Sequence, residues 1–335
     1  MGFYNNINYA KVFVTGATGL VGSHIVCELL KRGKTVGISF RSEQKLANLN
    51  ELLKREGVDL PYNSYKVELD SYEEFSEILV GYDAVVHAAA NVDLSKNTKG
   101  YINSNLDLTK AVLWAVEKAE VKRFIHISSI ATLGEAKEGS NLINENCELD
   151  SLVGKSGYSR SKFYCENVVY RAFFEGLNGV ILNPSVILGS NLQKSSSSKI
   201  IATLSRKNKF YSSGVTGYVG VRDVARAVTE VLDTDITLKR LVVSNENLSY
   251  KELMSLSASI MGFAAPVMKV SDRLIKGVVL GLRFFEKLKV NFGLSSSMVE
   301  CLISQKYYDG TEITKCTAFT YMSLEEQLKE FLIAK

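Results

Sequence analysis

The stretch KVFVTGATGLVG, residues 11–22, is an apolar run that enters three spaced glycines and leaves them as a helix. Lys11–Thr15 reads as a buried strand. Leu20–Lys31 places Leu20, Ile25, Leu29 and Leu30 on one helical face. Between the two, Gly16 permits a tight turn, Gly19 has no side chain to block a pyrophosphate, and Gly22 lets the helix pack close to the sheet. The free amides at the helix start face an anion, so Thr18 and Leu20 join the three glycines as expected contacts. A strand, this turn and a helix in succession predict a dinucleotide site. A P-loop would need Gly-Lys-Ser or Gly-Lys-Thr at its end, and neither follows.

The alternation continues outward from this turn. Strands are predicted at Thr35–Phe40, Ser64–Leu69, Ala84–Ala88, Phe124–Ile127 and Gly179–Leu182. Helices are predicted at Gln44–Arg55, Tyr72–Leu79, Tyr101–Ala119 and Tyr158–Glu175, with a loop over Gly134–Gly157. Nearly continuous apolar strands separated by helices of crossover length argue an α/β fold, a Rossmann-type doubly wound parallel sheet. After Pro184 the regularity decays into helices near Ile200–Lys207, Arg222–Leu232, Ser249–Met261, Asp272–Lys289, Ser296–Lys306 and Ser323–Phe331. Ser249 with Glu252, and Ser323 with Glu326, read as capping boxes. The expected division is residues 1–184 for the dinucleotide-binding domain and 185–335 for a smaller, mainly helical substrate lobe. Segments near 218–245 return to the first domain, and Leu241–Val243 is a strand that could rejoin its sheet.

Bulk properties narrow the class. At 335 residues the chain exceeds what one core usually supports. A net charge of +4 without basic runs interleaved with aromatics gives no nucleic-acid signature. The 5 cysteines, Cys27, Cys147, Cys165, Cys301 and Cys316, are scattered and form no CxxC pair, which points to reduced thiols and a cytoplasmic setting. His24, His87 and His126 are far apart, and no metal site is expected. Leu274–Leu288 is too short and too charged to span a membrane. It reads first as a helix covering the substrate lobe, and alternatively as an interfacial helix.

The second strand ends Ile38-Ser39-Phe40-Arg41, without the acid that would bind the adenosine ribose hydroxyls. Arg41, and Lys45 one helical turn on, can meet a 2′-phosphate instead. NADP(H) is therefore the preferred coenzyme, with NAD(H) possible. Asp70, after the third strand, either contacts adenine or caps a helix.

Tyr158-Ser159-Arg160-Ser161-Lys162 sets a phenol and an ammonium at i,i+4 on one helical face. A free phenol ionises near pH 10, and a neighbouring ammonium favours its charged form. Such a pair on the helix after the fifth strand is a candidate acid/base, with Lys162 also able to hold a ribose hydroxyl.

These motifs resemble the extended short-chain dehydrogenase/reductase superfamily, NAD-dependent epimerase/dehydratase-like, and within it the dihydroflavonol reductase-like branch. The resemblance rests on TGATGLVG at 15–22, His87-Ala88-Ala89, Asn105 within NLDLT, Ser128-Ser129, YSRSK at 158–162, NPSVILG at 183–189 and YVGVRDV at 218–224. It is strong over residues 10–230 and diffuse beyond. It implies that Ser129, 5 residues before Gly134, binds the substrate carbonyl, and that Asn105 belongs to a proton-relay region. It implies a structural His87, and coenzyme contacts from Ala88, Ala89, Asn183, Pro184 and Ser185. Asn105 read by itself is a helix amide bonded to backbone.

The implied function is reduction of a moderately apolar ketone or aldehyde, or the reverse. The expected pocket is lined by Val92, Asp93, Leu94, Ala131, Ser185, Val186, Tyr158 and residues near Phe210 and Tyr211. The small carbonyl or alcohol substrate is the expected partner, to a monomer or a homodimer. Leu133 stands where epimerases of the superfamily usually carry Tyr, which disfavours a sugar nucleotide. A sugar-nucleotide epimerase or dehydratase, a hydroxysteroid dehydrogenase-like enzyme and a non-catalytic NADP-binding protein are the alternatives.

Overall fold

A computed structural model describes residues 7–91, 98–190, 196–287 and 295–333, with residues 98–99, 196–199 and 287 by backbone alone. The first half alternates as its apolar periodicity requires: β1 Lys11–Thr15, α1 Leu20–Lys31, β2 Thr35–Phe40, α2 Glu43–Arg55, β3 Asn63–Lys66, α3 Tyr72–Leu79, β4 Ala84–His87, α4 Thr98–Lys118 and β5 Arg123–Ile127. A single 3-10 turn, Ile130–Thr132, and the two-residue strand β6, Leu142–Ile143, lead to α5, Gly157–Phe174. Then come β7 Gly179–Pro184, β8 Val186–Leu188, α6 Ser196–Leu204, β9 Phe210–Tyr211, β10 Val215–Gly220, α7 Val221–Leu232, β11 Lys239–Val243 and β12 Glu246–Ser249. The remainder is α8 Tyr250–Met261, β13 Met268–Lys269, α9 Asp272–Lys287, α10 Ser296–Glu300, β14 Tyr307–Tyr308, α11 Glu312–Cys316 and α12 Leu324–Ile333.

Seven strands form one sheet in the order β11-β7-β5-β4-β1-β2-β3. Every pairing in it is parallel. Alternate residues of each strand face opposite layers. Val12 and Val14 enter the core beneath α1 and α7, with Ile125, Val180 and Leu182. Phe13 turns to the other side, against Phe75 of α3, Val112 of α4 and Phe173 of α5. The strand order reverses between β1 and β4, so the carboxyl ends of those two strands flank a crevice where ligands bind in open α/β sheets.

The second half departs from this sheet and returns to it. The expected strand at Leu241–Val243 is the end of β11, which pairs with β7 from Lys239↔Val180 to Val243↔Pro184. A separate three-stranded sheet, β12-β10-β8, and helices α6, α8 and α12 enclose a smaller core of Leu188, Leu204, Tyr218, Leu253, Leu324 and Leu328. The expected capping box on α8 is present, Ser249 and Glu252 each accepting from the other's amide. At α12, Ser323 Oγ accepts from the Glu326 amide at 3.4 Å. Buried Asp223 on α7 ties this C-terminal region down by accepting from the Met322 amide and Gln327 Nε2.

Two expectations are corrected. The helix predicted over Ser296–Lys306 ends at Glu300, because the Leu302 and Ser304 carbonyls accept from the Gly214 and Val215 amides instead. The loop predicted over Gly134–Gly157 contains β6, which pairs with β14.

Candidate active site

The glycine turn closes as its sequence dictates. Gly16 has φ +69, a left-handed conformation natural to glycine, and a Cβ there would lie 2.6 Å from the Ala89 amide nitrogen. The Gly19 amide donates to Gly16 O at 2.9 Å, and Gly19 is the N-cap of α1. Among the described residues, chain neighbours aside, a Cβ on Gly19 would meet only Gly16 O within 4 Å, which leaves space before this helix end. The turn is a cradle open to a diphosphate, with the amides of α1 behind it. Thr18 and Gly19 are half-exposed, Leu20 is buried, and Ala88 and Ala89 form the facing wall at the end of β4.

At the end of β2, Arg41 is 72% exposed and meets Glu68 only loosely, at 3.9 Å. Lys45 and Asp70 are exposed. Asp70 lies in a turn and the N-cap of α3 is Ser71, so the capping role considered for Asp70 is not the one it takes.

Ser156 caps α5 by accepting from the Ser159 amide, which starts the helix just before Tyr158. Tyr158 and Lys162 are half-buried on successive turns. Lys162 Nζ donates to the Ile127 carbonyl at 2.8 Å, at the end of β5. Ser129 follows two residues later. Its Oγ accepts from the Ala131 amide at 3.2 Å and caps the 3-10 turn, while Ser159 Oγ donates to Ala131 O. The turn carrying Ser129 and the first turn of α5 are thereby fastened together.

The Asn105 side chain bonds to backbone and also reaches a neighbouring helix. Its Oδ1 accepts from the Asn91 amide at 2.6 Å, and its Nδ2 donates to Asn91 O and to Ser161 Oγ, both at 3.0 Å. It joins α4, the segment after β4, and α5. Beneath these residues lies a cavity of about 10 Å³, lined by Asn105, Thr109, His126, Ser161, Lys162 and Cys165 among others, with room for about one water molecule. Neither His126 ring nitrogen has a hydrogen-bond partner among the described residues. His87, its register neighbour on β4, is held by Thr15 Oγ1 at 2.8 Å. Burial, and secondarily Lys162, lowers the His87 pKa to about 3. Buried and bonded to Thr15, His87 sits in the sheet as a packed ring with its charged form disfavoured.

Asn183 is fully buried. Its Nδ2 donates to Ser129 O, Thr132 Oγ1 and Glu166 Oε1, so it supports the Ser129 turn from beneath and presents no accessible surface to a coenzyme. Ser185 is buried, and its hydroxyl has no hydrogen-bond partner among the described residues. Val186 is half-buried on β8. Tyr211 lies on the β9–β13 ribbon, with Lys251 Nζ 5.1 Å above its ring. Val92, Asp93 and Leu94 lie outside the described residues.

Sequence reading missed Glu166 and Tyr101. Glu166, one turn beyond Lys162, is 2% exposed and accepts from Thr132 and Asn183, with Arg240 at 3.9 Å. Burial raises its pKa. The signal was an acid on the same helical face as the core residues Val169 and Phe173. Tyr101 is buried on α4, and burial, followed by the field of Tyr158, pushes its phenol up to about 12. Its spacing from Asn105, one helical turn, was the available clue.

Residues 12–242 match the NAD dependent epimerase/dehydratase family, and the chain belongs to that family. It is thereby an NAD(P)-dependent oxidoreductase of the extended short-chain dehydrogenase/reductase type. The chain is 26% identical over 337 residues to a putative dihydroflavonol 4-reductase of Synechocystis sp., covering 95% of this chain and 92% of that one. It is 25% identical over 291 residues to sterol demethylase protein B of Methylococcus capsulatus, covering 84% and 86%. The crystal structure of gox2253 shares the fold, with a TM-score of 0.81 at 20% identity over 98% of this chain and 97% of that one.

Proposed function

We propose that this enzyme uses NADP(H) to interconvert a moderately apolar ketone or aldehyde and its alcohol, with Tyr158 as the acid/base. The carrying observation is the placement of Tyr158 and Lys162 on one face of α5, with the Lys162 ammonium bonded to the Ile127 carbonyl next to the Ser128-Ser129 turn.

The glycine cradle fits a dinucleotide, held by Gly16, Gly19 and the amides opening α1, with Ala88 and Ala89 opposite. When bound, the nicotinamide coenzyme supplies or takes up the hydride. The remaining work falls to side chains. In reduction, the Tyr158 hydroxyl gives its proton to the carbonyl oxygen. Ser129 Oγ already accepts from the Ala131 amide, which directs its own hydrogen outward to the same oxygen as negative charge develops there. Lys162 fixes the ribose and supports the phenol. Asn105 positions α5 through Ser161 and the chain after β4 through Asn91.

The exposed, loosely paired Arg41, with Lys45 nearby and no acid ending β2, supports the 2′-phosphorylated coenzyme. Val92, Asp93, Ala131, Val186 and Tyr211 are the proposed substrate contacts, with residues beyond 184 forming most of the substrate lobe. Leu133, 3% exposed, packs with Ile143, Cys147, Val242 and Tyr308, so its position serves the core and offers a sugar nucleotide no hydroxyl.

Tyr158→Phe should lower turnover by about 10²–10⁴-fold while leaving the dissociation constant for NADPH unchanged in a fluorescence titration. Undiminished turnover in that variant refutes the assignment. A panel of carbonyls and alcohols, each run with both coenzymes, identifies the substrate.

A further inference from the structure

Helix α9 turns apolar side chains outward along most of its length. Leu274 is 64% exposed, Leu280 66%, Phe284 60%, Val278 44% and Phe285 40%. The inward side is Ile275 and Val279, packed with Val299 and half-buried Leu282 and Ile303. At 3.6 residues per turn, Leu274, Val278, Gly281 and Phe285 form one outer stripe, bordered by Phe284. Arg273 and Lys276, both exposed, run along one flank of it.

The acids of this region face protein partners instead. Asp272 accepts from Ser213 Oγ and Lys269, Glu286 from the Ser296 amide and hydroxyl, and Glu300 from Arg283. The outer face is thus an apolar stripe with a cationic border. The Ser213–Asp272 bond also ties the start of α9 to the β9–β13 ribbon, where Phe210 is 56%, Val267 79% and Met268 51% exposed beside exposed Lys209 and Lys269.

We propose that α9 and the adjoining ribbon dock on a membrane surface bearing anionic lipid, the helix lying in the interface plane. Sixteen residues span about 24 Å, short of a hydrocarbon core of about 30 Å. No helix among the described residues is long and apolar enough to cross a membrane. An apolar face with a basic border matches the headgroup boundary of an anionic leaflet. This docking is independent of the proposed reaction, and its test reads binding alone.

The test is flotation of the full chain with vesicles of phosphatidylcholine alone, and with roughly one-third phosphatidylserine added. Binding should require phosphatidylserine and fall as salt rises. Leu274→Glu with Phe284→Glu, at exposed positions, should weaken partition by about tenfold or more without changing the melting temperature. Arg273→Glu with Lys276→Glu should weaken it by about fivefold per residue on the anionic vesicles. The proposal is overturned if the unmodified chain floats with neither vesicle, or if the charge-reversal variant binds as well as the unmodified chain. It is also overturned if sedimentation shows a self-association that the Leu274/Phe284 variant abolishes.

Discussion

Arg41 leaves the end of β2 into solvent, and Glu68 at 3.9 Å is its ion-pair partner among the described residues. So loose a pair between exposed groups contributes little to stability, which leaves the guanidinium free to exchange that carboxylate for a phosphate. Arg41→Ala should therefore raise KM for NADPH and leave KM for NADH nearly unchanged. A charge-assisted hydrogen bond is worth about 1.5–3 kcal/mol, so the NADPH to NADH preference should drop by roughly ten- to hundredfold. Steady-state kinetics with both coenzymes measure this, and an unaltered preference removes Arg41 from the coenzyme site. Ser129 and Asn183 show how far single residues could be read. The serine's place at the end of β5 followed from its motif. The full burial of Asn183 did not, because it depends on Thr132 and Glu166, which lie far from it in sequence and approach it only in the fold.

Elements were legible where local pattern and tertiary partners agree. The observed β1, α1, β2 and α3 coincide with the predicted bounds, since each is an apolar run or face ended by turn residues. The third strand was expected at Ser64–Leu69 and is found at Asn63–Lys66. It is an edge strand, and its pairing stops at Phe40↔Lys66 where β2 itself ends. Conversely, β7 continues past Leu182 to Pro184 because β11 runs beside it. Neither limit is written in the strand's own residues. The glycine turn offers an element-scale test. A Cβ on Gly22 would sit 2.2 Å from Gly16 O, a backbone atom that cannot yield without moving the turn. Gly22→Ala should destabilise the protein by about 1–3 kcal/mol in urea denaturation and weaken coenzyme binding. Gly281, inside α9, is the control, since a Cβ there would meet nothing within 4 Å among the described residues outside its own helix. Gly281→Ala should stabilise by up to about 1 kcal/mol. Equal effects at the two sites would contradict the close packing of α1 on the turn.

The whole molecule keeps its three histidines neutral and buried. Burial lowers His24 to about 4 and, with Lys162 adding, His87 to about 3. His126 lies well below its usual value for the same first reason, with His87 and Lys162 contributing. The folded values lie below the unfolded value of about 6.5, so the unfolded chain binds more protons between that pH and the folded values. Stability is complete above about pH 6.5 and declines as pH falls through this window, by about 1.4 kcal/mol per pH unit for each histidine. Burial raises the carboxyls of Glu145, Glu166 and Asp223, which oppose the decline as they take up protons. The urea midpoint should fall between pH 7 and pH 5. A midpoint that stays level contradicts the burial of these rings.

The return of β11 to the main sheet has a consequence for how the protein is made. During synthesis β7 leaves the ribosome well before Lys239–Val243, and its outer row of amides and carbonyls has no neighbour until those residues emerge. An apolar strand with a bare margin is a template for pairing with other chains. The nascent polypeptide therefore passes through an interval in which its first half is nearly assembled yet adhesive. Release from that state waits on a short piece of chain supplied late in translation.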